Sequence, residues 1–184
     1  FQTPIYEIGV DELNNHIFVK RDDLFPFSFG GNKSRKAVNF LRDIKEKQCD
    51  TVVTYGSSSS NHCRVIANMA SSNGLKCYII TPEEAYKETI NSKLVDFYGA
   101  VRIKTSLDSV VQTISEIMDE LSKTCNPYFI QGGGHGNLGT KAYHNVYNEI
   151  VQYETEEKIQ FSYIFHASGT GTTQAGLVSG LILN

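Results

Sequence analysis

The sequence predicts an α/β fold built on an open, mostly parallel sheet with helices on both faces. Three observations carry this expectation. Short apolar runs alternate with longer amphipathic stretches from residue 16 to the C-terminus. That alternation builds strand–helix–strand units, whose crossovers force neighbouring strands to run parallel. Loops rich in glycine or hydroxyl groups follow the strands at 56–60, 132–139 and 168–173, where parallel sheets place their ligands. Hydrophobic residues make up 40% of the 184 and charged residues 20%, enough apolar mass for one sizeable core or two small ones.

The elements follow from periodicity and punctuation. The runs at 16–20 (HIFVK), 51–55 (TVVTY), 76–81 (KCYIIT), 100–104, 127–130 (PYFI) and 163–167 (YIFHA) read as strands. Helices are expected at 34–48, 61–73, 90–98, 107–123, 140–153 and from Thr172 onward. In the first of these, Ala37, Phe40, Leu41 and Ile44 share one face, with Asn32 or Ser34 as its cap. The last carries Ala175, Leu177, Val178, Leu181 and Leu183 with no stop signal. This suggests that further chain follows it, as Phe1 in place of methionine suggests a trimmed or processed start.

Composition narrows the function classes. The formal net charge of −3 offers no electrostatic case for nucleic acid, and no basic block is interleaved with aromatics. No apolar run approaches the roughly 20 residues of a membrane span. The four cysteines, Cys49, Cys63, Cys77 and Cys125, form no CxxC pair, so reduced thiols in a cytoplasmic protein are expected. The histidines are scattered without an HExxH or a Cys/His cluster, and no metal site is expected.

Four segments carry candidate chemistry. The loop Ser168-Gly169-Thr170-Gly171-Thr172-Thr173 joins a strand to a helix. Its glycines admit close approach, the helix N-terminus favours an anion and the threonines add donors, so a phosphate suits it. It also reads as a plain turn with a threonine cap. The loop 56–62 (GSSSSNH) opens a helix with small neutral donors suited to a carboxylate, or is a serine linker.

In the loop 132–139 (GGGHGNLG), Gly134, Gly136 and Gly139 match GxGxxG, with Glu154, Glu156 and Glu157 at the distance of a ribose-binding acid. This supports a competing reading, a dinucleotide-binding oxidoreductase. That motif normally opens the first strand–helix turn of its unit, however, and several strands precede it here. In the segment 29–36 (FGGNKSRK), Lys33 sits in the first turn of a helix. There the dipole, Arg35, Lys36 and any burial push its amine toward the neutral, nucleophilic form. By itself it also reads as a solvated lysine.

Together, FGGNKSRK, GSSSSNHCR, GGGHGNLGTKAY and ASGTGTTQAGL resemble, in order, the blocks of the pyridoxal-phosphate enzymes of fold type II. These are grouped with tryptophan synthase β chain, and the resemblance is strongest to their branch of 1-aminocyclopropane-1-carboxylate deaminases and D-cysteine desulfhydrases. It runs from about Lys20 to the chain end. It implies pyridoxal 5'-phosphate as cofactor, Lys33 as the Schiff-base lysine and Asn32 in the same cofactor block. Ser60 is implied as a catalytic residue facing the substrate, and Asn61 as a neighbour of both cofactor and substrate carboxylate. His62, where relatives commonly have glutamine, is implied as a third carboxylate contact. Gly169, Thr170, Gly171, Thr172 and Thr173 correspond to the phosphate cup. The resemblance further implies two lobes, with 1–36 and 136–184 in an incomplete large lobe and 37–135 forming the small one. A homodimer acting on a small amino acid by elimination or ring opening, with release of ammonia and a 2-oxo acid, is the implied activity. A non-catalytic cofactor-binding fragment is a further alternative, because the family's later part supplies the groups around the cofactor ring.

Overall fold

The computed structural model describes residues 2–84 and 86–183. Twelve regular elements occur in chain order among them: β1 (Ile5–Val10), β2 (His16–Lys20), α1 (Gly31–Glu46), β3 (Thr51–Tyr55), α2 (Asn61–Ser72), β4 (Lys76–Pro82), α3 (Ile90–Phe97), β5 (Val101–Thr105), α4 (Val110–Leu121), β6 (Pro127–Ile130), α5 (Asn137–Glu157) and α6 (Thr172–Leu183). Single 3-10 turns lie at Asp22–Leu24, Leu107–Ser109 and Gly132–Gly134.

The main sheet has four parallel strands in the order β5-β4-β3-β6. Alternate residues of its strands serve two different cores, as a strand's two-residue period requires. Val52, Cys77, Ile79 and Ile130 face Ala37, Phe40 and Ile44 of α1 and Val65, Ile66 and Met69 of α2. Val53, Ile80, Tyr55, Tyr78, Ile103 and Phe129 face Val110, Ile114, Ile117 and Met118 on the α4 side. The expected α/β fold with helices on both faces is therefore present.

The chain order reverses at β3. From β3 it steps through β4 to β5, then returns through α4 to place β6 on the other side of β3. The crossover out of β3 runs to β4 on one side while β6 joins on the other, a switch in strand order that opens a crevice at the carboxyl ends of β3 and β6. The loops that begin at Gly56 and Gln131 line it.

α5 and α6 pack as a separate pair around Ala142, Tyr143, Val146, Ile150 and Leu177. Of the apolar residues expected to face a partner from α6, Leu177 makes this contact and most of the others do not. Val178, Leu181 and Leu183 are exposed, and the close faces are Gly176 and Gly180. A methyl group on Gly176 would lie 2.4 Å from Tyr143 Cβ, and one on Gly180 2.4 Å from Tyr147 Cβ.

Three other expectations are corrected. β1 was not foreseen; it pairs antiparallel with β2 in a separate two-stranded sheet. The run 163–167 is not a strand. Tyr163 and Phe165 are 79% and 92% exposed, and a strand is stabilised only by a paired neighbour, which the run lacks among the described residues. Neither Asn32 nor Ser34 caps α1. Gly30 is its N-cap, and the Ser34 hydroxyl instead accepts from the Phe27 amide at 3.0 Å.

Candidate cofactor and substrate site

Lys33 is the third residue of α1, half-buried, and its Nζ donates to the Gly133 carbonyl at 3.0 Å. Gly133 is left-handed (φ 72°), and a methyl group there would lie 2.6 Å from Thr170 Cγ2 and 3.6 Å from Lys33 Nζ. The lysine, the glycine turn after β6 and the threonine loop before α6 thus meet at one point. Gly133 is glycine because neither the backbone angle nor the space admits a side chain.

The threonine loop is organised around the same point. Thr170 and Thr172 share a hydroxyl–hydroxyl contact at 3.0 Å, and His135 Nδ1 lies 3.2 Å from Thr172 Oγ1. Asn32 Nδ2 donates to Thr173 Oγ1 at 3.1 Å, tying the loop to the helix that carries Lys33. Gly169 and Gly171 have open space where a side chain would stand. The first amides of α6 have no acceptor within the helix, so hydroxyls and backbone amides gather at a helix N-terminus beside glycines with open space around them. That donor set fits a phosphate group, and the amine beside it fits an aldehyde.

Burial holds the Lys33 amine below its ordinary value. The cause differs in part from the sequence expectation, because Arg35 is turned away. Its guanidinium binds Asp22, Glu149 and Thr3 on the opposite side of α1. Lys36 is 1% exposed, its Nζ has no hydrogen-bond partner and lies 6.0 Å from the Tyr143 ring centroid, and it is pushed down to about 8 by burial and by the charge of Lys33.

Ser60 and Asn61 lie across the crevice, at the start of α2. Ser60 is the N-cap, and its Oγ accepts from the Cys63 amide at 3.2 Å. With that lone pair engaged, its hydroxyl proton can be donated outward. Asn61 is exposed, and its Oδ1 accepts from Arg64 and Asn91. Among the described residues no direct hydrogen bond joins either residue to Lys33.

His62 does not join them. It is 2% exposed, and its Nε2 meets Thr54 Oγ1 at 2.9 Å. Thr54 Oγ1 gives its own proton to the Ile130 carbonyl at 2.8 Å, so Nε2 must carry the imidazole proton. Burial first, and the charges of Lys33 and Lys36 next, lower its pKa to about 3. His62 is a neutral core residue on the stripe of Val65, Ile66 and Met69, with its ring turned inward to Thr54.

The glycines Gly134, Gly136 and Gly139 do not open a dinucleotide unit. α5 leads to α6 rather than back to a strand beside β6. Gly139 is required instead by packing, since a methyl group there would sit 2.0 Å from the Gly134 carbonyl oxygen. Glu154 is engaged by the Phe161 amide at 2.7 Å. Sequence reasoning missed the roles of Gly133, His135 and Asn91. The triple glycine was the visible signal for the first; nothing in the local sequence marked Asn91. Among the described residues no group of three His, Cys, Asp or Glu side chains could hold a metal ion. A cavity of about 280 Å³ beside Asn32 and Thr173 is lined mainly by Val146, Ile150, Ile164, Phe165 and Leu177 and excludes Lys33.

The fold and site together define an α/β protein that presents a half-buried lysine amine beside a threonine- and glycine-lined helix N-terminus suited to an anion. Residues 1–184 match the family model described as pyridoxal-phosphate dependent enzyme, and the chain belongs to that family. D-cysteine desulfhydrase from Serratia proteamaculans (strain 568) is 34% identical over 189 residues, covering 97% of this chain and 57% of that protein. The Salmonella typhi D-cysteine desulfhydrase is 34% identical over 181 residues, covering 93% and 54%. A solved structure of an ACC deaminase homologue superposes with a TM-score of 0.83 at 32% identity, covering 98% of this chain and 56% of that one. Cysteine synthase from Entamoeba histolytica (TM-score 0.72, 17% identity, covering 97% and 54%) shares the fold. The chain spans about half the length of the curated relatives it matches.

Proposed function

We propose that the full-length protein is a pyridoxal-phosphate-dependent lyase or deaminase that releases ammonia and a 2-oxo acid from a small amino acid. The observation that carries this reading is the convergence of the Lys33 amine, the Gly133 turn and the Thr170–Thr173 loop on one point. The D-cysteine desulfhydrases and the ACC deaminase homologue support the reaction class. D-cysteine and 1-aminocyclopropane-1-carboxylate are accordingly the candidate substrates. The cofactor, when bound, supplies an electron sink for negative charge at the substrate's Cα.

The chain's own residues divide the remaining work. Lys33, kept toward the neutral amine by burial, is the attachment point for the cofactor and then the base that takes the Cα proton. Asn32 and the residues Gly169, Thr170, Gly171, Thr172 and Thr173 hold the phosphate. Ser60 donates its free hydroxyl proton toward the substrate, and Asn61 donates its amide to the substrate carboxylate. The Gly133 carbonyl orients the Lys33 amine. We assign 1–36 and 136–184 to a large lobe and 37–135 to a small one, in a homodimer. The four cysteines are all free, as suits the cytoplasm, and no helix among the described residues is long and apolar enough to cross a membrane.

The test uses the full-length protein with pyridoxal phosphate, supplied separately with D-cysteine and with 1-aminocyclopropane-1-carboxylate. Ammonia and 2-oxo acid are expected from one of them, and Lys33→Ala is expected to abolish both the release and the visible absorption of the bound cofactor. Release from neither compound, or wild-type release by Lys33→Ala, would remove the reading.

A further inference from the structure

The side-chain amide of Asn61 is held in one orientation by two neighbours. Arg64 Nη2 lies 3.1 Å from Asn61 Oδ1. A guanidinium can only donate, so the atom facing it must be the amide oxygen. Asn91 Nδ2 reaches the same Oδ1 at 3.0 Å and the Ser59 carbonyl at 2.7 Å. A backbone carbonyl can only accept, so the orientation of the Asn91 amide is fixed as well. Both amide orientations therefore follow from obligate donors and acceptors.

The two neighbours are themselves anchored. Arg64 is 8% exposed; its Nη1 donates to the Ser28 carbonyl and hydroxyl, and the Phe29 ring covers it at 5.2 Å. Asn91 is the second residue of α3, inside the Thr89–Ser92 capping box. The segment that leads into α3 clasps the serine loop elsewhere too. Thr89 Oγ1 donates to the Ser58 carbonyl at 2.7 Å, and the Lys87 amide donates to Ser58 Oγ at 3.0 Å. With Oδ1 engaged twice, only the NH2 of the exposed Asn61 side chain remains to meet a ligand, and it has no protein acceptor among the described residues.

We propose that Asn91 and Arg64 are positioning residues that lock Asn61 as a one-sided donor, so that the site accepts an anionic carboxylate at that point. The inference rests on the reading of Asn61 as a carboxylate contact. An unrestrained asparagine could offer its oxygen as readily as its nitrogen, and half of its orientations would repel the ligand. The clasp from α3 removes that choice before the ligand arrives, which is preorganisation of a binding group.

The experiment is a spectral titration of the full-length, pyridoxal-phosphate-loaded protein with D-cysteine and with 1-aminocyclopropane-1-carboxylate, alongside steady-state kinetics. The variants are Asn61→Ala, Asn91→Ala, Asn91→Asp and Asn61→Ala/Asn91→Asp. The visible absorption of each variant before titration reports an intact cofactor site. Asn61→Ala is expected to weaken binding roughly 10- to 100-fold, as for loss of a hydrogen bond to a charged group. Asn91→Asp, which replaces the donor to Oδ1 by an acceptor, is expected to do the same with kcat little changed. Asn91→Ala should fall between wild type and Asn91→Asp, and the double variant should bind no more weakly than Asn61→Ala alone.

Asn61→Ala with unchanged affinity for both compounds would overturn the carboxylate reading and the inference with it. Asn61→Ala weakened but Asn91→Asp and Asn91→Ala unchanged would overturn the inference alone. So would a double variant in which the two single effects multiply, since Asn91 would then act independently of Asn61. Should Asn91→Asp fail to fold, the Asn91→Ala result decides by the same criteria.

Discussion

Replacing Arg35 by methionine removes the centre of the polar network that fixes α1, and with α1 the position of Lys33. The guanidinium makes five hydrogen bonds, to Asp22, Glu149 and Thr3. Its side chain is 4% exposed, against 15% for Asp22 and 14% for Glu149. Removing one partner from a buried ion pair costs about 3–5 kcal/mol. Two features favour the lower end. Asp22 keeps donors from Tyr143 at 2.6 Å and Thr3 at 2.8 Å, and Glu149 keeps Lys20 at 2.6 Å. The expected loss is therefore about 3 kcal/mol, or roughly 6–12 °C in Tm for a chain of this size.

The pH dependence identifies the cause. Burial pushes the Asp22 carboxyl up, but hydrogen bonds and charge from Arg35, with help from Tyr143 and Thr3, outweigh it and hold it below 3.8. Its stabilisation is present above the unfolded value and is lost as pH falls through the lowered folded value. Without Arg35, burial dominates and the folded value rises, so the gap between wild type and Arg35→Met should narrow as pH falls below about 4. Chemical denaturation at several pH values measures it. An apolar replacement that is neutral or stabilising at pH 7, or a gap that does not change with pH, would refute this reasoning.

Three further outcomes are expected. Gly176→Ala places a methyl group 2.4 Å from Tyr143 Cβ and 2.5 Å from the Thr140 carbonyl oxygen. It should lower stability by about 1–3 kcal/mol in denaturant titration. Lys36→Met removes a buried ammonium without a hydrogen-bond partner, whose fall from 10.5 to about 8 corresponds to about 3 kcal/mol. Because the native state holds fewer protons than the unfolded chain between those values, wild-type stability rises with pH across that window. The variant's gain, measured on cofactor-free protein, should be greatest below pH 8 and fade by pH 10.5. His62 should remain a neutral Nε2–H imidazole in side-chain nitrogen NMR down to about pH 4, and the burial that lowers its pKa to about 3 makes folding less stable as pH falls from 6.5 toward that value.

Where a local pattern coincided with a buried partner, the sequence was legible. The alternation in TVVTY and KCYIIT marks strands because their two faces meet two different helix layers. The glycine and threonine loops were visible as ligand-binding turns because they interrupt such patterns at strand ends. YIFHA has the same local pattern yet is no strand, because pairing is a property of the neighbour and not of the run. For α6 the apolar residues stood out, although the close faces are Gly176 and Gly180, where small size lets α5 approach. In GSSSSNHCR, Asn61 and His62 are adjacent but about 100° apart around the helix, so one faces out when the other faces in. The stripe of His62, Val65, Ile66 and Met69 carried the signal that His62 is the inward one. Asn91 was not legible because its partners, Ser59 and Asn61, lie 32 and 30 residues away.

The most direct test of the assignment of Lys33 is borohydride reduction of the pyridoxal-phosphate-loaded, full-length protein, followed by peptide mapping. The cofactor's mass is expected on the peptide carrying Lys33, in wild type and in Lys36→Met alike, and on no peptide of Lys33→Ala. Recovery of the label on Lys36 or another lysine, or of no label from protein that shows the cofactor's visible absorption, would contradict the central claim.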